Sequence, residues 1–245
     1  MSRDIPFVKY IHSYKERSEV PMHTHQNGQL NFMDEGIIRL RSPSAAWVVP
    51  QKRIIWIPPG QLHSVRGENV SGSWKVMIPG KFAKLLPKEI SVLQSTRLLL
   101  AALESFPEKG EVIAPSKLKL LIEIVKIELA SAQQEEFGII LPQSKSLQFV
   151  ANALLKNPED TRKIDDWAKE IGMSRRTFTR RFASETGDSF AKWRKNNLLN
   201  RALVLLSEGK SVSDVADKLG YAYPSAFIVA FKKRFGISAG KFAKT

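Results

Sequence analysis

The sequence predicts a two-domain α+β protein: a β-rich N-terminal part followed by helices, then an all-helical C-terminal part. Three observations predict it. Residues 1 to about 80 carry short apolar runs broken by Pro and Gly (LNFM, IIRL, AAWVVP, RIIWIPPG, WKVMIPG), the pattern of an antiparallel sandwich or barrel. From about residue 81 the apolar residues recur at helical steps instead. In the last third, one pattern of apolar residues and glycines occurs twice. At 245 residues the chain has room for two separate cores.

Composition narrows the classes of function. With 43% hydrophobic and 25% charged residues the chain is neither disordered nor fibrous. No apolar run approaches the roughly 18–20 residues of a membrane span. The opening MSRDIPFVKYIHSYKERSEV has no uninterrupted apolar core of a signal peptide, so a cytoplasmic address and no membrane partner are expected. Cysteine is absent, which excludes disulfides and thiolate zinc sites. A net charge of +14 and a pI near 10 favour a polyanionic partner. Residues 157–245 hold 18 Lys and Arg against 10 Asp and Glu, a net of +8; residues 1–156 hold 20 against 14, a net of +6.

Taken in order, the β-rich stretch contains three of the four histidines. His23-Thr24-His25 is followed by Gln29, and Pro58-Pro59-Gly60-Gln61-Leu62-His63 comes later. On a strand, His23 and His25 share a face, and Gln29 shares their parity if the strand is regular. His12 has no such pattern. Trp47, Trp56 and Trp74 read as barrel core or pocket walls, the core being the commoner place for aromatics in strands. Leu118, Leu121, Ile122, Val125, Leu129 and Ala132 then form one stripe on a helix. GIILPQS (138–144) reads as a connector, and Leu147 to Leu155 begins a further helix. The domains are expected to span 1–142 and 143–245.

In the first copy of the repeat, Ile164, Trp167, Ala168, Ile171 and Gly172 lead to Phe178, Phe182 and Gly187. In the second, Val212, Val215, Ala216, Leu219 and Gly220 lead to Phe227, Phe231 and Gly236. The offset is 48 up to the first glycines and 49 after them. Ala168 and Ala216 permit close helix approach, and Gly172 and Gly220 suit a left-handed residue just past a helix end. Ser174 is a good N-cap. With Phe178 and Phe182 inward, Arg175, Arg176, Thr179 and Arg180 face outward. Like charges at this spacing repel on an ordinary surface helix but suit a DNA groove, where arginine binds guanine and phosphate.

On these residues the chain resembles the AraC/XylS family of transcription regulators over about 160–243. The resemblance rests on IDDWAKEIGMSRRTFTRRFASETG, the helix from Phe190 to Ser207, and VSDVADKLGYAYPSAFIVAFKKRFGIS. It implies two recognition helices, about 175–185 and 224–234, in successive major grooves of double-stranded DNA. It implies base-reading positions at Arg176, Thr179 and Arg180 in the first, and at Pro224, Ser225, Ile228 and Val229 in the second. Ile228 and Val229 donate no hydrogen bond, so the first unit is expected to carry most of the specificity. Phe190 to Ser207 is apolar on more than one face, as a spacer between two lobes requires. It would hold the recognition helices about one DNA turn, roughly 34 Å, apart. Lys192, Lys232, Lys233, Arg234 and Lys241 are phosphate-contact candidates. Ala239 and Ala243 depart from the family pattern in the last turn.

The two histidine motifs, within about 20–80, are similar to those of cupin barrels, which implies a cupin-like barrel ending near 142. The resemblance leaves three readings for His23, His25, Gln29 and His63: an effector pocket, a divalent metal site, or structural histidines. Gln29 stands where a carboxylate is frequent, and an amide is the weaker ligand. No cofactor is required by the pattern. The resemblance also implies a small-molecule effector and a homodimer through the 118–132 helix. A cupin enzyme is disfavoured because no acid–base pair is apparent. A DNA-packaging protein without sequence preference fits the Arg and Thr placement poorly.

Overall fold

The structure, a computed structural model, describes residues 7–12, 19–84 and 86–243, the His12 side chain excepted. The chain divides into two compact units, one of residues 1–42 and 49–136, the other of 43–48 and 137–245. The N-terminal strands are β1 (Val8–His12), β2 (Glu19–His23), β3 (Gly28–Phe32), β4 (Glu35–Arg41), β5 (Ala45–Pro50), β6 (Arg53–Ile57), β7 (His63–Ser71) and β8 (Ser73–Ile78). After the short α1 (Gly80–Ala83) come β9 (Ser91–Gln94), α2 (Arg97–Glu104) and α3 (Pro115–Ser131).

The first unit is built on antiparallel pairing. One five-stranded sheet runs β1-β8-β3-β6-β9, and in the other sheet β7 lies between β4 and β2. The strands thus lie in two antiparallel sheets, as in the sandwich form of the sequence reading, the first bounded by β1 and β9. The stretch after 81 is also less uniformly helical than its pattern: Ser91–Gln94 is too short for a helical period to register, and it adds to β6.

Both faces of the first sheet are covered, and alternation along β3, β6 and β8 sorts their residues. Leu30, Phe32, Ile54, Trp56, Trp74 and Val76 pack in one cluster with Leu99, Leu103, Leu121, Val125 and Leu129 of α2 and α3. Trp56 is wholly buried, and its indole N–H donates to the Pro87 carbonyl at 2.7 Å. A Cβ at Gly28 would fall 2.1 Å from the Trp56 ring, so this strand start must be glycine for the indole to lie flat across it. The expected 118–132 stripe thus faces its own sheet. Residues of the opposite parity, Gln29, Asn31, Ile55 and Ile57, are buried as well.

The second unit contains β10 (Gly138–Ile140), α4 (Lys145–Lys156), α5 (Ile164–Glu170), α6 (Arg175–Thr186), α7 (Phe190–Ser207), α8 (Val212–Lys218), α9 (Pro224–Phe235) and α10 (Ala239–Phe242). The expected connector at 138–144 begins as a strand: Gly138, Ile139 and Ile140 pair with Trp47, Ala46 and Ala45. Its partner lies some 90 residues back in sequence, which local reading cannot see. Trp167, Phe178, Phe182, Phe190 and Trp193 share one core with Leu147, Val150 and Leu154. The Trp193 indole donates to the Ile140 carbonyl at 2.6 Å, tying the spacer helix to that strand.

Candidate DNA-binding surface and histidine site

Each repeat forms a helix, a glycine turn and a second helix. Gly172 and Gly220 have φ of +66° and +77°, the left-handed conformation that reverses the chain without a Cβ penalty. Ala168 and Ala216, 2% and 0% exposed, bring the paired helices close. Ser174 caps α6 by accepting from the Thr177 N–H at 3.2 Å, and Ser211 caps α8 in the same way. Phe178 and Phe182 stack at 5.7 Å, and each meets Phe190 edge to face. In the second copy Phe227 meets Phe231 edge to face, and Phe231 meets Phe235 at 4.8 Å.

The buried phenylalanines decide what the outer face of each second helix offers. On α6, Arg175, Arg176, Thr179 and Arg180 are exposed. Arg175 is paired with Asp165 of α5 at 2.8 Å, and Thr179 donates to the Arg175 carbonyl. Arg176 and Arg180 have no partner among the described residues. On α9 the matching surface is Ser225, exposed Ile228 and Val229 (37% and 68%), and half-buried Pro224. Tyr223, just before α9, is 71% exposed and extends this apolar patch. Sequence reading missed Tyr223, although its place directly before Pro224 at a helix start marked it as a flank of that surface.

The cationic residues are not equivalent. Lys192 is exposed but engages Asp188 at 2.6 Å, and Lys241 is exposed beside the Ser238 cap. Lys232 and Lys233 are exposed in the last turn of α9. Arg234 is half-exposed, and one nitrogen of its guanidinium donates to the Gly138 carbonyl at 2.6 Å within the unit. Arg181 turns toward Glu185, whose carboxylate accepts the backbone N–H groups of Gln143 and Ser144 at the start of α4. The last turn docks despite its departures from the family pattern, since Ala239 is fully buried and Phe242 lies 5.9 Å from Phe231.

In the first unit, β2 and β7 are paired with His23 opposite His63. His25 lies beyond the end of β2, so the regular alternation expected for His23, His25 and Gln29 on one strand is broken. The three histidines still converge, with one ligand-capable nitrogen of each within 4.8 Å of the others. Nδ1 of His23 lies 2.9 Å from the Pro21 carbonyl, Nδ1 of His63 lies 2.8 Å from that of Gln61, and Nδ1 of His25 meets that of Asn27. A carbonyl only accepts, so each Nδ1 carries a hydrogen, which in the neutral ring leaves the Nε2 lone pair for a ligand. The Nε2 atoms of His25 and His63 are buried without a partner among the described residues. Burial holds both imidazoles below their ordinary pKa, which favours the neutral, ligating form. Gln29 sits on β3 of the other sheet, where its amide donates to Asn31 Oδ1. Lys75 on β8 stands opposite Asn31, and burial lowers its pKa too.

Comparison with known proteins follows the same division. Residues 167–245 match the family described as helix-turn-helix domain. The HTH-type transcriptional regulator NimR of Escherichia coli is 29% identical over 238 residues, 95% of this chain and 85% of that protein. The HTH-type transcriptional regulator RipA of Corynebacterium glutamicum is 34% identical over 102 residues, 42% of this chain and 31% of its own length. Among solved structures, ToxT from Vibrio cholerae covers 98% of both chains at 14% identity with a TM-score of 0.41. The DNA-binding domain of AdpA in complex with a target DNA is 30% identical over 41% of this chain and 92% of its own, with a TM-score of 0.38. No helix among the described residues is long and apolar enough to cross a membrane.

Proposed function

We infer that this chain, whose C-terminal unit belongs to the helix-turn-helix transcription regulators of the AraC/XylS type, binds an operator through α6 and α9 and is modulated by a ligand of its N-terminal unit. The observation that carries the DNA reading is the outer face of α6, where Arg176 and Arg180 are exposed and have no partner among the described residues. Two guanidinium groups one helical turn apart reach base edges and phosphates together. Ser225, Ile228 and Val229 of α9 offer one hydroxyl and apolar surface, so the first unit supplies most of the hydrogen-bonded readout. Fluorescence anisotropy with selected and scrambled duplexes tests this. A preference of at least about a thousandfold for the selected site is expected, and equal affinity for both duplexes would leave charge alone.

Effector control requires a ligand that favours one DNA-affinity state over another. The histidine cluster is the proposed ligand site. A metal-bound form of it is favoured by one observation: the Nε2 atoms of His25 and His63 are buried without a partner among the described residues, in a cluster where one ring nitrogen of each of the three histidines lies within 4.8 Å of the others. Three imidazoles held by backbone carbonyls suit a borderline divalent ion such as zinc, and a bound ion would supply a Lewis-acidic contact for the effector. Calorimetry with zinc ions is expected to give one site per chain, lost in His63→Ala and weakened as pH falls and protons compete for Nε2. A stoichiometry unchanged by His63→Ala would remove the metal reading and leave the pocket.

Homodimerisation is proposed through the side of α3 that faces away from its sheet, where Leu120 and Ile127 are each 66% exposed. Sedimentation of Leu120→Lys tests it. The wild type is expected to dimerise at micromolar concentration and the variant to stay monomeric.

A further inference from the structure

The short strand β10 and its flanks touch both helix-turn-helix lobes. Side chains alternate along an extended segment, and Phe137, Ile139 and Leu141 are all buried. Ile139 and Leu141 belong to the core of the first lobe, with Trp167, Phe178 and Phe182. Phe137 meets the second lobe instead. Its ring stacks on that of Phe235, the last residue of α9, with centroids 5.3 Å apart and planes 13° off parallel.

The hydrogen bonds repeat this division. The Gly138 carbonyl accepts from Arg234 of α9, and the Ile140 carbonyl accepts from the Trp193 indole of α7. The Phe137 carbonyl accepts from Asn200 Nδ2, also on α7, at 3.4 Å. Glu185, in the last turn of α6, accepts from the Gln143 and Ser144 N–H groups at 2.9 and 2.8 Å. The C-terminal ends of both recognition helices are thus held by one stretch, residues 137–144. That stretch is itself fixed within the same unit. It pairs with Ala45–Trp47, and the Leu141 N–H donates to the Ser44 carbonyl at 2.8 Å.

A single helix between two lobes, here α7, leaves each free to rock about its own contacts with that helix. A second connection at another point removes this freedom. Phe137 and Ile139 are two residues apart and packed into different lobes, so α9 cannot shift against α6 without unstacking Phe235 or drawing Ile139 from its core. Close-packed contacts of this kind do not deform continuously. Placement matters on DNA, where one base pair is about 3.4 Å of rise and about 35° of rotation.

We propose that residues 137–144 are a brace that positions α9 against α6, and that Phe137, buried and so barred from touching DNA, determines which spacing of the two operator blocks is accepted. The brace stands on the contacts above. Its effect on operator choice rests on the reading of α6 and α9 as the DNA-contacting helices.

Two measurements on the full chain separate these. The chain has no cysteine, so Lys169→Cys in α5 and Asp217→Cys in α8, both exposed, place one spin label on each lobe. Pulsed electron resonance without DNA is expected to give one narrow distance distribution, which Phe137→Ala widens. Arg234→Met, at a half-exposed position, should widen it less and keeps the test available if Phe137→Ala does not fold. An unchanged distribution in the folded variants overturns the brace. The second measurement compares the selected duplex with one carrying an extra base pair between its blocks. Insertion should cost the wild type at least about tenfold in affinity, the worth of one mismatched pair, but Phe137→Ala about threefold or less. Phe137→Leu, which keeps apolar packing, should restore most of the wild-type ratio. A loss of stability alone would weaken both duplexes alike, and a ratio unchanged in Phe137→Ala overturns the role in spacing. A wild type without sequence preference would contradict the reading of α6 and α9, and the label distances would still decide the brace.

Discussion

The two helix-turn-helix units have matching interiors and opposite exteriors. Phe178 and Phe182 in the first correspond to Phe227 and Phe231 in the second, all wholly buried, and both second helices end at a left-handed glycine, Gly187 or Gly236. On the outside, the places of Arg176, Thr179 and Arg180 are taken by Ser225, Ile228 and Val229. The two copies thus share the residues that make the shape and differ in those proposed to meet DNA. Core aromatics are constrained by close packing, whereas an exposed face answers only to its partner.

The largest effects should show the units as equals. Phe178→Ala and Phe227→Ala each empty a fully buried aromatic site, and each is expected to cost about 3–5 kcal/mol in chemical denaturation. A loss in one unit only would mean that the second is not an independently packed lobe. Next in size comes the difference in reading. Arg180→Ala is expected to weaken the selected duplex about 10- to 100-fold, and Val229→Ala less than about threefold by removing apolar contact alone. The reverse order would break the comparison at its centre.

A finer probe concerns what α9 can read. Apolar side chains in a major groove contact the thymine methyl group. Replacing thymine by deoxyuridine in the block under α9 should cost about two- to fourfold in affinity, the worth of one buried methyl. Val229→Ser should make the protein indifferent to that replacement. The smallest expected effect is in salt dependence. Lys233→Ala should lower the log–log slope by about one for every sequence, while Ile228→Ala leaves the slope unchanged.

The helix-turn-helix half was the more legible part, because its signals are local and doubled. A glycine past a helix end, a serine cap and phenylalanines four apart each carry their own geometry. The β half was legible only in outline. Gly138–Ile140 read as a connector because its partner, Ala45–Trp47, is remote in sequence. His23, His25 and His63 were found by their spacing, although the strand alternation used to align the first two is broken. The burial of Asn31 escaped notice because a polar residue at alternate strand positions ordinarily marks a solvated face. Here both faces are covered, a tertiary fact. The hydrogen bond of Arg234 was illegible for the same reason, since the Gly138 carbonyl lies on a strand distant in sequence.

The most direct test is selection of bound duplexes from a random library with wild type, Arg180→Ala and Ile228→Ala in parallel. Two preferred blocks about one helical turn apart are expected. The block that loses preference in Arg180→Ala should carry the stronger base selection, and Ile228→Ala should soften only the other. Equal enrichment of all sequences by the wild type would contradict specific recognition, and a collapse of the stronger block in Ile228→Ala would contradict the division of reading between α6 and α9.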